Sequence, residues 1–176
     1  MKPGTTVLKA IETAMQIEKD GLAFYTEVAR QTKDPNGQKM FQSLARDEAG
    51  HLKLFETVRE SLLKEGHWLS PEQVTAMSPG EFNHPPVFPT GAQAKATEIP
   101  KRELDALQRG IQAEKDSIAF YSQEKAKSDD QDATAMYAYL IEQEEGHRII
   151  LQGEYDYLTR TGFWFDVQEF DLEAAG

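Results

Sequence analysis

One pattern occurs twice in this chain, and it constrains the fold more than any other feature. Glu18, Tyr25, Glu48 and His51 are matched, each 96 positions later, by Glu114, Tyr121, Glu144 and His147. The surrounding text repeats as well: Gln16-Ile17-Glu18-Lys19-Asp20 stands against Gln112-Ala113-Glu114-Lys115-Asp116, and Ala23-Phe24-Tyr25 against Ala119-Phe120-Tyr121. Self-similarity at a fixed offset marks a repeated structural unit, and here it implies two equivalent helical hairpins that face each other.

Apolar periodicity supplies the helices. Leu8, Ile11, Met15, Glu18, Leu22, Tyr25 and Ala29 follow one another in steps of three and four, the spacing of a buried helix seam. Turn formers at Thr32-Lys33-Asp34-Pro35-Asn36-Gly37 end that run. A second seam reads Phe41, Leu44, Glu48, His51, Phe55, Val58 and Leu62, and ends near Gly66. After Pro100, which suits a first helical turn, a third reads Leu104, Leu107, Ile111, Glu114, Ile118 and Tyr121. The fourth reads Tyr137, Leu140, Glu144, His147, Leu151 and Leu158, between Ser128-Asp129-Asp130 and Gly162. The spacing thus predicts an all-α four-helix bundle in one domain spanning 1–176, with helices over about 5–31, 36–65, 101–127 and 130–160.

The segment 66–100 has a different composition, with Pro71, Pro79, Pro85, Pro86, Pro89 and Pro100, and cannot be one continuous helix. A connection of that length needs a purpose in a compact domain. Crossing the length of the bundle to join two short-looped hairpins provides one. Ser70-Pro71-Glu72-Gln73 is able to start a short helix within it. The tail 161–176 is aromatic at Phe163-Trp164-Phe165 and then acidic, and its rings are expected to cover a bundle end or a dimer contact.

Charge and composition exclude several classes of function. A formal net charge of −11 is the opposite of the basic stripe that a nucleic-acid partner requires. With no Cys there is no thiol nucleophile, disulfide or cysteine-held iron centre. The N-terminal residues lack the apolar run of a signal peptide, and no stretch reaches the ~20 apolar residues of a membrane helix. The expectation is a soluble cytoplasmic protein without nucleic-acid or membrane partners.

Each seam carries a carboxylate where Leu would be expected. Four ionised Glu closing in a low-dielectric core would protonate or be driven apart unless something offset them. Two divalent cations carry four positive charges and balance them. Glu48 and His51, like Glu144 and His147, are three residues apart and so share one helix face about 4.5 Å apart along the axis. From Glu18 to the turn, and from the turn to Glu48, the chain runs roughly 20 Å at 1.5 Å per residue, which brings the two level in an antiparallel hairpin. The same holds for Glu114 and Glu144. Ferritin-like di-iron carboxylate proteins use one Glu from each of two helices and Glu-x-x-His from each of the other two, and this chain matches that pattern in full.

Glu18, Glu48, His51, Glu114, Glu144 and His147 are therefore the expected metal ligands. Glu48 and Glu144 would bridge two ions, with Glu18 and His51 on one and Glu114 and His147 on the other. Oxygen-rich ligation with imidazole and no thiolate favours iron, with manganese an alternative and zinc able to occupy the site in recombinant material. Tyr25 and Tyr121, two turns beyond Glu18 and Glu114, should lean back toward the metal layer, either as core aromatics or bonded to a ligand carboxylate. Gly50 and Gly146 each cost roughly 1 kcal/mol inside a helix, for which close helix packing is the expected reason and room for a ligand the alternative. His67 and His84 are expected to face solvent, and Met15, Met40 and Met136 to fill the core.

With Glu18, Tyr25, Glu48-x-x-His51, Glu114, Tyr121 and Glu144-x-x-His147 in view, the chain resembles the rubrerythrin branch of the ferritin-like superfamily, specifically its di-iron domain without a rubredoxin domain. The resemblance covers roughly Thr5 to Arg160. It implies a homodimeric or larger bundle protein that oxidises a centre of two Fe ions with hydrogen peroxide or dioxygen. Lacking Cys, the chain would need an external electron donor such as a rubredoxin-like protein. Rubrerythrins carry a further Glu one turn after the third-helix ligand; here that position is Ser117, with Gly21 as its counterpart in the first half. In this respect the site resembles the symmetric centre of bacterioferritin. Three functions follow as expectations: a peroxide- or oxygen-reducing di-iron oxidoreductase, a ferroxidase of bacterioferritin type, and a non-catalytic bundle stabilised by metal.

Overall fold

The structure, a computed structural model, describes residues 5–77, 101–162 and 164. Four long helices account for most of them: α1 (Thr5–Gln31), α2 (Pro35–Lys64), α4 (Lys101–Lys127) and α5 (Gln131–Thr161), with the short α3 (Pro71–Met77) after α2. No strand occurs among the described residues. The expected all-α, ferritin-like bundle is therefore the observed fold.

Local chemistry explains where the helices begin and end. Asp34 caps α2, its Oδ1 accepting from the backbone N–H groups of Asn36 at 2.8 Å and Gly37 at 3.4 Å, with Pro35 in the first turn. Asp130 does the same for α5 by accepting from the Ala133 N–H at 3.0 Å. Helix α5 stops at Gly162, whose φ of 78° is the left-handed value that closes a helix and disfavours other residues. Ser70 and Gln73 bond reciprocally at the start of α3: Gln73 Oε1 accepts from the Ser70 N–H at 2.8 Å, and Ser70 Oγ accepts from the Gln73 N–H at 3.4 Å.

Helix α1 packs along α2, and α4 along α5. Two apolar clusters fill the two ends of the bundle. One joins Ile11 and Ala14 of α1 to Leu54, Phe55 and Val58 of α2, Tyr121 of α4 and Met136 and Leu140 of α5. The other joins Tyr25 and Ala29 to Phe41 and Leu44, Leu107 and Ile111, and Leu151 and Leu158. Neighbouring helices thus run antiparallel, and the chain leaves α2 at one end and enters α4 at the other. Residues 78–100 of the expected crossover, His84 among them, lie outside the described residues. His67 is exposed, as expected, with Nε2 2.9 Å from Glu65.

Trp164 seals one end. Its ring stands edge-on to Phe41 with centroids 5.8 Å apart, and its Nε1 donates to Glu103 Oε2 at 3.0 Å. Phe163 and Phe165 lie outside the described residues. A Cβ at Gly37 would stand 2.7 Å from Trp164 Cε2 and 2.8 Å from Thr32 Cγ2, so this closure needs glycine there. Gly37→Ala is expected to destabilise the protein by about 1–3 kcal/mol through overpacking. Urea unfolding followed by tryptophan fluorescence measures it, and an unchanged midpoint would contradict this packing.

Candidate metal centre

Between the two apolar clusters lies a single polar layer. Glu18 from α1, Glu48 and His51 from α2, Glu114 from α4, and Glu144 and His147 from α5 all turn into it, and none is more than 5 % exposed. Each arrives there for the same reason: it takes a seam position with apolar residues a turn on either side, so packing the seams carries the polar groups inward.

The six side chains form two overlapping groups. Ligand atoms of Glu18, Glu48, His51 and Glu144 lie within 4.8 Å of one another, and so do those of Glu48, Glu114, Glu144 and His147. Glu48 and Glu144 belong to both. His51 Nδ1 is 3.2 Å from Glu144 Oε1, 3.4 Å from Glu18 Oε2 and 3.7 Å from Glu48 Oε2. His147 Nδ1 is 2.9 Å from Glu144 Oε2, 3.5 Å from Glu48 Oε1 and 3.8 Å from Glu114 Oε1. The two imidazoles stack with centroids 5.6 Å apart.

Each phenol crosses to the opposite half of the molecule. Tyr25 Oη donates to Glu114 Oε1, and Tyr121 Oη donates to Glu18 Oε1. The repeat therefore interlocks, with the tyrosine of either half holding the carboxylate of the other. Burial and then the charge of the bonded carboxylate push both phenols well above their ordinary pKa, so they remain donors.

Not every buried atom finds a partner. Glu18 Oε2, His51 Nδ1, Glu144 Oε1 and Asp47 Oδ2 are buried without a hydrogen bond, and the first three face the layer. Orphaned oxygens and nitrogens of this kind cost free energy unless a cation or proton satisfies them. The donor set, four carboxylates with two imidazoles and no thiolate, suits divalent first-row metals, so the residues fit a pair of ions.

In the metal-free protein, protons take that role. Burial raises Glu18 to about 7 against the opposing pull of His51, whose Nδ1 is 3.4 Å from its Oε2. Glu114 is likewise raised well above the carboxylate range by burial and by the charge of Glu144. Burial and a neighbouring carboxylate push Glu48 and Glu144 upward, but their contacts with the two imidazoles hold both below the usual value. His51 and His147 resist burial and are raised because the carboxylates around them favour imidazolium.

Gly50 and Gly146 are corrections to the sequence reading. A Cβ added at either would meet nothing within 4 Å, so close helix packing does not explain them. Gly21 is where space matters: a Cβ there would stand 3.2 Å from Glu48 Cδ. At the equivalent position the Ser117 hydroxyl folds back onto the Ala113 carbonyl at 3.1 Å, so neither half adds a fifth carboxylate. Sequence reasoning missed Asp47, which lies beside Glu48 rather than on a seam. Its Oδ2 is 3.4 Å from His147 Nε2. The broken repeat was the available signal, because position 143 holds Gln.

An all-helical, ferritin-like bundle with a buried layer of carboxylates and imidazoles defines the class of protein. The family model for rubrerythrin matches residues 9–155, and the chain belongs to the rubrerythrin family. A search of curated proteins returned no match, and neither did a search of solved structures. Among the described residues, no helix is long and apolar enough to cross a membrane.

The protonation pattern sets a pH dependence for the metal-free protein. Glu18, at about 7 when folded, holds a proton that an unfolded carboxyl with pKa of about 4.3 releases, so stability falls as pH rises through that window. Glu114 acts in the same sense. His51 and His147 add stability that is lost as pH rises through their raised folded values, whereas the depressed Glu48 and Glu144 lose theirs only as pH falls. Calorimetry of chelator-treated protein is expected to show Tm falling between about pH 5 and about pH 8. Added divalent ions should reverse that slope, since binding improves as protons leave. A Tm that rises with pH without metal would contradict it.

Proposed function

We propose that this protein is a non-haem di-iron oxidoreductase that reduces hydrogen peroxide or dioxygen. Its electrons come from an external donor such as a rubredoxin-like protein, and it works in the cytoplasm as a homodimer or larger homo-oligomer. Membership of the rubrerythrin family supports the class of chemistry. The observation that carries the reading is the overlap of two ligand groups through Glu48 and Glu144, with unsatisfied atoms of Glu18, His51 and Glu144 turned into them.

Glu48 and Glu144 would be shared by both ions, Glu18 and His51 would hold one, and Glu114 and His147 the other. Bound iron supplies reversible one-electron chemistry at two adjacent positions. The chain supplies the rest. Tyr25 and Tyr121 keep their protons at Oη and orient Glu114 and Glu18 by donating to them. The apolar clusters above and below, with Leu44, Ala45, Leu54 and Phe55 closest in sequence to the ligands of α2, exclude bulk water from the layer. Manganese would fit the same donors, and zinc could occupy them without redox chemistry.

A ferroxidase role in iron handling is the second reading. What favours it is that Ser117 and Gly21 offer no further carboxylate, which leaves four Glu and two His as the set among the described residues.

Anaerobic loading with Fe(II), followed by separate stopped-flow mixing with peroxide and with air-saturated buffer, separates these functions. The oxidoreductase reading expects two irons per chain and faster oxidation by peroxide than by dioxygen. Repeated Fe(II) oxidation with iron retained would favour the ferroxidase, and inertness toward both oxidants would leave only a structural role for metal. Glu48→Ala and Glu144→Ala are each expected to lose paired binding. Tyr25→Phe should keep both ions and change only rates, with metal counting as the check.

A further inference from the structure

The two halves of the metal centre differ in charge at a position directly behind an imidazole. His147 turns Nδ1 toward Glu144, Glu48 and Glu114, and on the far side of the ring its Nε2 stands 3.4 Å from Asp47 Oδ2. His51 turns its Nδ1 inward in the same way, toward Glu144, Glu18 and Glu48. Among the described residues, no carboxylate other than these three lies within ion-pair distance of His51, and none stands behind its ring as Asp47 does behind His147. The repeat explains the difference: the residue equivalent to Asp47 is Gln143, so the carboxylate placed behind one imidazole is replaced by an uncharged amide in the other half.

We propose that Asp47 is a positioning residue that makes the two metal positions unequal, so that the ion held by His147 binds first and more tightly than the ion held by His51. This rests on the dimetal reading above and adds the order of loading to it. A metal-bound imidazole must be neutral, with its lone pair on the atom facing the ion and its proton on the other nitrogen. With Nδ1 inward, that proton is on Nε2, the atom beside Asp47. A carboxylate accepting from it fixes the tautomer and the ring orientation and raises the basicity of the ligating nitrogen.

Asp47 Oδ2 is also buried without a hydrogen bond in the present arrangement. It is therefore an acceptor awaiting a donor, and a His147 ring drawn onto a metal through Nδ1 supplies one at Nε2. The neighbours repeat the theme of inequality between the halves. Gly21 leaves space for the Glu48 carboxylate, while its counterpart Ser117 carries a hydroxyl bonded to its own helix. Those differences change room; Asp47 alone adds a charge, and it adds it to one imidazole.

The test is Co(II) titration of the metal-free protein without air, read by d–d absorption and by calorimetry, so that no turnover is needed. Wild-type protein should bind two ions in separate steps. His51→Ala should retain the tighter step and His147→Ala should lose it. Asp47→Asn should weaken that first step by about 10–100-fold, the range seen when an outer carboxylate partner of a ligating His is removed. Asp47→Glu should restore part of the loss. Circular dichroism of each metal-free variant establishes that it is folded; if Asp47→Asn does not fold, the comparison of the two His variants still decides which position loads first. Wild-type affinities for both ions in Asp47→Asn, or a first step that follows His51, would overturn the proposal while leaving the dimetal centre intact. Failure of wild-type protein to bind two ions would instead overturn the dimetal reading itself.

Discussion

Four carboxylates and two imidazoles buried in one layer form the constraint on which the rest of this structure depends. Left alone, such a layer is expensive, because each ionised group loses hydration and each carboxylate repels the others. The protein handles this in two ways at once. Imidazoles are interleaved with carboxylates, so that His51 lies among Glu18, Glu48 and Glu144, and His147 among Glu48, Glu114 and Glu144. Protons also redistribute, raising Glu18 and Glu114 while Glu48 and Glu144 stay charged. The result is a pocket of exchangeable positive charge, which a pair of divalent ions can replace.

The surrounding fold holds that layer in place rather than contributing chemistry of its own. Apolar clusters above and below keep it dry and keep the four helices in register. The crossed tyrosines tie the hairpins together at the point of greatest electrostatic cost, Tyr25 reaching Glu114 and Tyr121 reaching Glu18. Neither hairpin can therefore build a complete site. Glu48 and Glu144, which belong to both groups, come from different hairpins, so an ion pair held there would need both hairpins in place.

Much of this was legible in the residues because a buried helix seam admits few exceptions. A Glu at a position that calls for Leu is conspicuous, and four of them at matched spacing identify the layer without coordinates. Helix arithmetic then levels Glu18 with Glu48. What periodicity does not carry is direction across the bundle. It could bring Tyr25 and Tyr121 near the layer but could not say that each serves the opposite half, since that depends on how the hairpins face one another. Asp47 escaped for a related reason: it stands beside a seam residue, is only partly buried, and reads as an ordinary surface acid until the ring of His147 is placed next to it. Gly50 and Gly146 misled because glycine in a helix usually signals crowding, and here the space beside both is open.

The central claim is that six side chains from four helices enclose two metal ions. Anomalous diffraction from crystals grown with Fe(II) or Mn(II) and collected at the absorption edge of that metal tests it most directly. The account predicts two peaks per chain, both between Glu48 and Glu144, one beside His51 and the other beside His147. A single peak, or ions bound only at the acidic surface with the buried layer empty, would contradict it.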